Sequence, residues 1–121
     1  MFVKKLNDCE AFTAIDGCRI RELLHPDNDP VVLDYSIAIA SLEAGESTFK
    51  HRLLHSEVYF ILAGQGRMHI GDDDRMIDAG DVIYIPPRSV QWIENTGRNE
   101  LQFAAIVSPP WRASDDELLE E

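Results

Sequence analysis

Two side chains six positions apart, His51 and Glu57, have the types and spacing to do chemistry together. Side chains alternate along a strand, so a strand over 48–53 puts Phe49, His51 and Leu53 on one face. Leu54 to Ser56 is short enough to be a tight connection, and Glu57, Tyr59 and Ile61 then share a face of the next strand. In such a hairpin His51 and Glu57 turn toward one interior. An imidazole converging with a carboxylate supplies two parts of a transition-metal site. Gln91, early in a later strand, offers an amide carbonyl as a weaker ligand, and His55 adds an imidazole if its turn folds inward. His51, His55, Glu57 and Gln91 are thus the candidate metal ligands. The alternative is a hydrogen-bonded polar pair in a barrel without metal, with His55 exposed, since turn tips run over the surface. A buried carboxylate is costly when unpaired, so Glu57 needs a partner on either reading.

Other polar residues carry weaker signals. Arg88, at a double-proline corner, has the geometry to clamp a carboxylate or phosphate, although a surface role is the commoner one. Asp72-Asp73-Asp74 lacks the later Glu of a calcium loop and reads as a solvated turn. His25 and His69 have no ligand neighbours at useful spacing, and no P-loop, dinucleotide fingerprint or nucleophile triad is visible. The aromatic side chains Phe49, Tyr59 and Phe103, with Leu53 beside them, are expected to face inward. They either line a small-molecule pocket with Arg88 at its mouth or fill the core.

The elements that would position these groups are short strands. They are expected at 11–15, 19–24, 31–39, 48–53, 58–62, 67–70, 82–85, 90–93 and 101–107, separated by Gly, Pro, Asn and Asp breaks such as 26–30, 71–74 and 86–87. Regular spacing of this kind predicts an all-β sandwich or barrel. Ser114 and Glu117 form a capping-box pattern, so 114–121 is expected to be a short helical turn or a frayed acidic tail. With 121 residues, 45% of them hydrophobic, the chain is expected to be one domain over 1–121, its barrel core at about 31–107 and a C-terminal extension at 108–121.

Composition narrows the partners. Eleven Lys and Arg against 22 Asp and Glu give a formal charge of −11, which disfavours nucleic acid and anionic lipid. No apolar run approaches the ~20 residues of a membrane span, and no signal peptide is evident, so a cytoplasmic protein with free Cys9 and Cys18 thiols is expected. Val58, Phe60 and Leu62 point opposite to Glu57 and Tyr59. An apolar outer face of this kind predicts a homodimer.

Two stretches resemble the paired motifs of the cupin superfamily. The first motif is Gly, five residues, His-x-His, three or four residues, Glu, six residues, Gly; Gly45, His51, Glu57 and Gly64 match it. The second is Gly, five residues, Pro-x-Gly, two residues, His, three residues, Asn; Gly80, Pro86 and Asn95 match it. The resemblance, over about 31–107, implies a double-stranded β-helix, or jelly roll. It also implies a divalent transition metal (zinc, nickel, manganese or iron) acting on a small polar or sugar-like molecule by isomerase, lyase or dioxygenase-type chemistry. Three positions depart from the pattern: Leu53 and Gln91 replace two ligand histidines, and Arg88 replaces a glycine. The rival to a metal enzyme is a metal-free small-molecule or sugar-binding module.

Overall fold

The turn residues divide the chain as their chemistry requires. Ala14 to Cys18 close a tight turn, in which Gly17 takes a φ of 88° that a side chain would resist. Gly71 and Asp72 make a second turn, with Gly71 at φ 59°. The computed structural model describes residues 1–119 and contains eleven strands. These are β1 (Ala11–Thr13), β2 (Arg19–Leu24), β3 (Ser36–Leu42), β4 (His51–Leu53), β5 (Glu57–Ala63), β6 (Gln65–Ile70), β7 (Asp73–Asp78), β8 (Val82–Ile85), β9 (Val90–Asn95), β10 (Leu101–Val107) and β11 (Asp116–Leu118).

They form two antiparallel sheets, ordered β1-β2-β3-β10-β5-β8 and β11-β4-β9-β6-β7. This is the expected all-β jelly roll. The core lies between the sheets, where Leu42, Tyr59, Ile61, Ile85, Ile93 and Phe103 are buried. Each comes from the inward set of an alternating strand.

Four local expectations are corrected. The strand expected over 31–39 is β3, running from Ser36 to Leu42, because the proline and aspartate turns persist further and leave Val32 fully exposed. The strand expected over 48–53 is shortened to β4, with a single bridge from Ser47 to Glu94 before it. Asp73 and Asp74 belong to β7, an edge strand that tolerates charge; Arg67 of β6 pairs with Asp74 across the turn at 2.5 Å. Toward the C-terminus the expected helical turn is, among the described residues, a 3-10 turn (Ala113–Asp115). Asp116 to Leu118 continue as β11 because the open edge of β4 offers unpaired backbone groups. Residues 120 and 121 of that expected tail lie outside the described residues.

The outer face of the six-stranded sheet carries Phe60, Leu62, Val82 and Tyr84, all exposed, as the alternation predicts. Both cysteines are free and buried. Among the described residues no helix is long and apolar enough to cross a membrane.

Gly66 lies where β6 crosses β9 so closely that a Cβ would collide with the Glu94 carbonyl oxygen. Gly66→Ala is expected to cost about 1–3 kcal/mol in urea unfolding, the range for overpacking. Gly66→Ala that unfolds at the wild-type urea midpoint would contradict this packing.

Candidate functional site

Cross-strand pairing sets the first contact of the site. His51 of β4 lies opposite Gln91 of β9, and both point into the barrel. Glu57 enters from β5 in the other sheet. The Gln91 amide links the sheets: its Nε2 donates to Glu57 Oε1 at 3.3 Å, and its Oε1 accepts from the Tyr59 hydroxyl at 3.1 Å. Both ends of the amide are therefore occupied.

His51 is clasped by two carboxylates that sequence reasoning did not single out. Asp116, the first residue of β11, places Oδ1 3.0 Å from His51 Nδ1 and accepts the Trp111 indole N–H on Oδ2 at 3.3 Å. Asp16 places Oδ2 3.3 Å from His51 Nε2, close enough to pair in charge but not aligned to hydrogen-bond. Its own carboxyl is aimed by the Asp-Gly turn, where Oδ1 accepts from the Cys18 amide at 3.0 Å. Nε2 is the one fully enclosed side-chain polar atom among the described residues without a hydrogen bond. Asp16 falls between the strands expected at 11–15 and 19–24, and Asp116 belongs to the segment expected as a helical turn or acidic tail. The available signal was that both are acidic residues beside strands, which many surface residues share.

The remaining candidates scatter. His55 sits 3.5 Å from Asp115, half-buried outside the barrel, so it is not brought to His51. Phe49 was expected inside but is 41% exposed; it packs over Gly17, because the chain straightens into β4 only at His51. Arg88 was expected at the mouth. It adopts φ 62° where the motif carries glycine, and that left-handed turn directs its side chain into solvent beside Arg52 and Leu54. Leu53, Tyr59 and Phe103 are buried as expected, but they fill the core: the Tyr59 and Phe103 rings pack with centroids 4.4 Å apart.

A cavity of about 60 Å³ opens instead above them, walled by Ile20, Ala38, Ala105, Val107, Trp111 and Glu57. Trp111 reaches it from the C-terminal segment, as a fold-over of that segment would require.

Leu53, fully buried, occupies a ligand position with an aliphatic group; Gln91 is bonded at both ends; and the two His51 nitrogens face separate carboxylates. Among the described residues no three His, Cys, Asp or Glu side chains are arranged to hold an ion. The residues present do not fit the expected metal.

Residues 38–107 match the family model described as a cupin domain. The chain is a cupin. An uncharacterised protein of Methanocaldococcus jannaschii is 40% identical over 106 residues, 87% of this cupin and 84% of that protein. An oxalate-binding protein of Thermotoga maritima is 41% identical over 51 residues, 42% of each chain. A crystal structure of a predicted oxalate decarboxylase from Thermotoga maritima superposes with a TM-score of 0.76 at 27% identity, covering 89% of this cupin and 99% of that chain.

Burial sets the electrostatics of the site. It pushes the Glu57 carboxyl up to about 8, against the opposing influence of His51 and the Gln91 hydrogen bond. Burial likewise raises Asp16, again opposed by His51. For His51, burial favours the neutral ring, but the Asp116 hydrogen bond and the charges of Asp16, Asp116 and Glu57 outweigh it and raise the pKa.

All three groups hold protons more tightly in the folded chain than in the unfolded one. The folded Glu57 keeps a proton that an unfolded Glu releases near 4.5, so its effect on stability turns unfavourable as pH rises from there to about 8. The His51 contribution is complete below 6.5 and is lost as pH rises through the raised value. The melting temperature should therefore fall from about pH 5 to about pH 8. Glu57→Gln, followed by calorimetry, should flatten that fall; a wild-type curve that rises across the window would contradict the assignment.

Proposed function

We propose that this cupin binds a small molecule in the cavity beside Glu57 without a metal. The carrying observation is a buried carboxyl facing an apolar cavity, with Gln91 on one oxygen and no donor among the described residues on the other. A few polar groups set in an apolar wall are the ordinary make-up of a ligand site. The volume, about 60 Å³, suits a molecule the size of about four to six waters. Glu57 is its polar anchor, as an acid at neutral pH or as a carboxylate when ionised.

Oxalate, which names the Thermotoga relative, suits this interior poorly. A dianion would sit against Glu22 and Glu57, with no Lys, Arg or His in the lining to offset the repulsion. Thermal-shift screening with and without EDTA tests the proposal. A ligand at one hundred times its Kd should stabilise by about 2.7 kcal/mol, undiminished by EDTA. Oxalate should give no shift, and elemental analysis should find metal far below one equivalent. Stabilisation that requires added metal would contradict the proposal.

The uncharged outer row of Phe60, Leu62, Val82 and Tyr84 supports a homodimer through that face, since pairing it buries apolar surface and brings no charged groups into the contact. Light scattering should give about twice 13.7 kDa, and Phe60→Lys should return the mass to the monomer value. A wild-type mass of 13.7 kDa would count against it.

A further inference from the structure

The lining of the cavity is chemically one-sided. It includes two carboxyl groups, Glu57 and Glu22, and two aromatic rings, Phe12 and Trp111. Ser36 is its one hydroxyl group, and none of its lining residues is Lys, Arg or His. The rest of the wall is aliphatic. Glu57 is buried deep in the pocket, whereas Glu22 stands nearer the rim, where its Oε1 accepts from Asn28 Nδ2 at 2.5 Å.

We infer that the cavity takes a small organic cation, an alkylammonium of about five heavy atoms, with its charge against Glu57 and its alkyl part among the aliphatic and aromatic walls. This rests on the cavity being a ligand site, as proposed above. Three observations carry it. Glu57 Oε2 lacks a donor among the described residues, and an ammonium supplies several. Aromatic rings attract cations through their quadrupole, and here two rings accompany the carboxyls. The chain as a whole, at −11, raises the local concentration of cations and lowers that of anions. A neutral ligand would use the apolar wall but leave the carboxyls unanswered, and an anion would oppose them.

Binding a cation requires Glu57 to give up its proton. The groups around that carboxyl are His51 from β4, Asp16 from the turn before β2, Tyr59 on β5 itself, Asp116 from β11, the uncharged Gln91 from β9 and Glu22 across the cavity on β2. As pH rises, Glu57 and Asp16 become anionic and His51 loses its positive charge. Each change favours the cation. From the Glu57 value of about 8 the ionised fraction falls about fivefold in the first pH unit and about tenfold per unit below that, and the affinity for an ammonium should fall with it.

The test compares three probes of similar shape by calorimetric titration of the full chain: isobutylammonium, isobutanol and isobutyrate. At about pH 8 isobutylammonium should bind about tenfold more tightly than isobutanol, and isobutyrate should not compete. The ammonium affinity should drop about fivefold by pH 7, with proton release that depends on buffer ionisation, while isobutanol changes little. Glu57→Gln should erase the preference for the cation and its pH dependence but keep isobutanol binding. Should that variant fail to fold, Glu22→Gln at the rim should reduce the preference partly. Isobutanol or isobutyrate binding as well as or better than isobutylammonium would overturn the cation assignment and leave the cavity a ligand site. No binding by any of the three would overturn both.

Discussion

Glu57 occupies the barrel interior with one hydrogen bond and no cation placed squarely against it. Ionising such a group in an apolar surround is so unfavourable that it holds its proton to about pH 8, and its neighbours are arranged around that fact. Gln91 can reach Glu57 with one end only because Tyr59 satisfies the other. Burial disfavours a charged His51 ring, and the Asp116 hydrogen bond with the charges of Asp16, Asp116 and Glu57 outweighs that and raises its pKa. Leu53 closes the fourth side with an aliphatic group, so the space that four ligands would share is divided between a core and a proton-sharing cluster.

Two segments outside the region matched by the cupin model complete that cluster. Asp16 arrives on the turn between β1 and β2, and Asp116 on β11, both beyond residues 38–107. The motif strands alone would leave His51 with Gln91 and Leu53 for neighbours and no anion on either ring nitrogen. Trp111 ties the C-terminal segment to the same point, since its indole donates to Asp116 while its ring walls the cavity. Closing the mouth and charging the imidazole are thus done by one piece of chain.

The barrel was legible because it depends on features that local sequence carries. Alternation placed Tyr59, Ile61 and Phe103 inside and Phe60 and Leu62 outside, and glycines at fixed intervals marked the turns. His51, Glu57 and Gln91 were legible as a group for the same reason, being inward positions of three strands. Phe49 and Arg88 were misplaced because each sits where regular alternation breaks, one residue pair before β4 begins and at a left-handed corner after β8. Asp16 and Asp116 were invisible for a different reason. Their roles come from contacts across 35 and 65 positions of sequence, and among 22 acidic residues nothing local marks them. A Leu in place of a ligand histidine was the plainest warning in the sequence, and its burial against the cluster shows why it mattered.

A titration of the Glu57 side-chain carboxyl by carbon NMR, with and without EDTA and with zinc added, addresses the account at its centre. The account predicts a midpoint near 8 that neither treatment moves. A midpoint near the ordinary 4.5, or one that zinc drives down sharply, would contradict it.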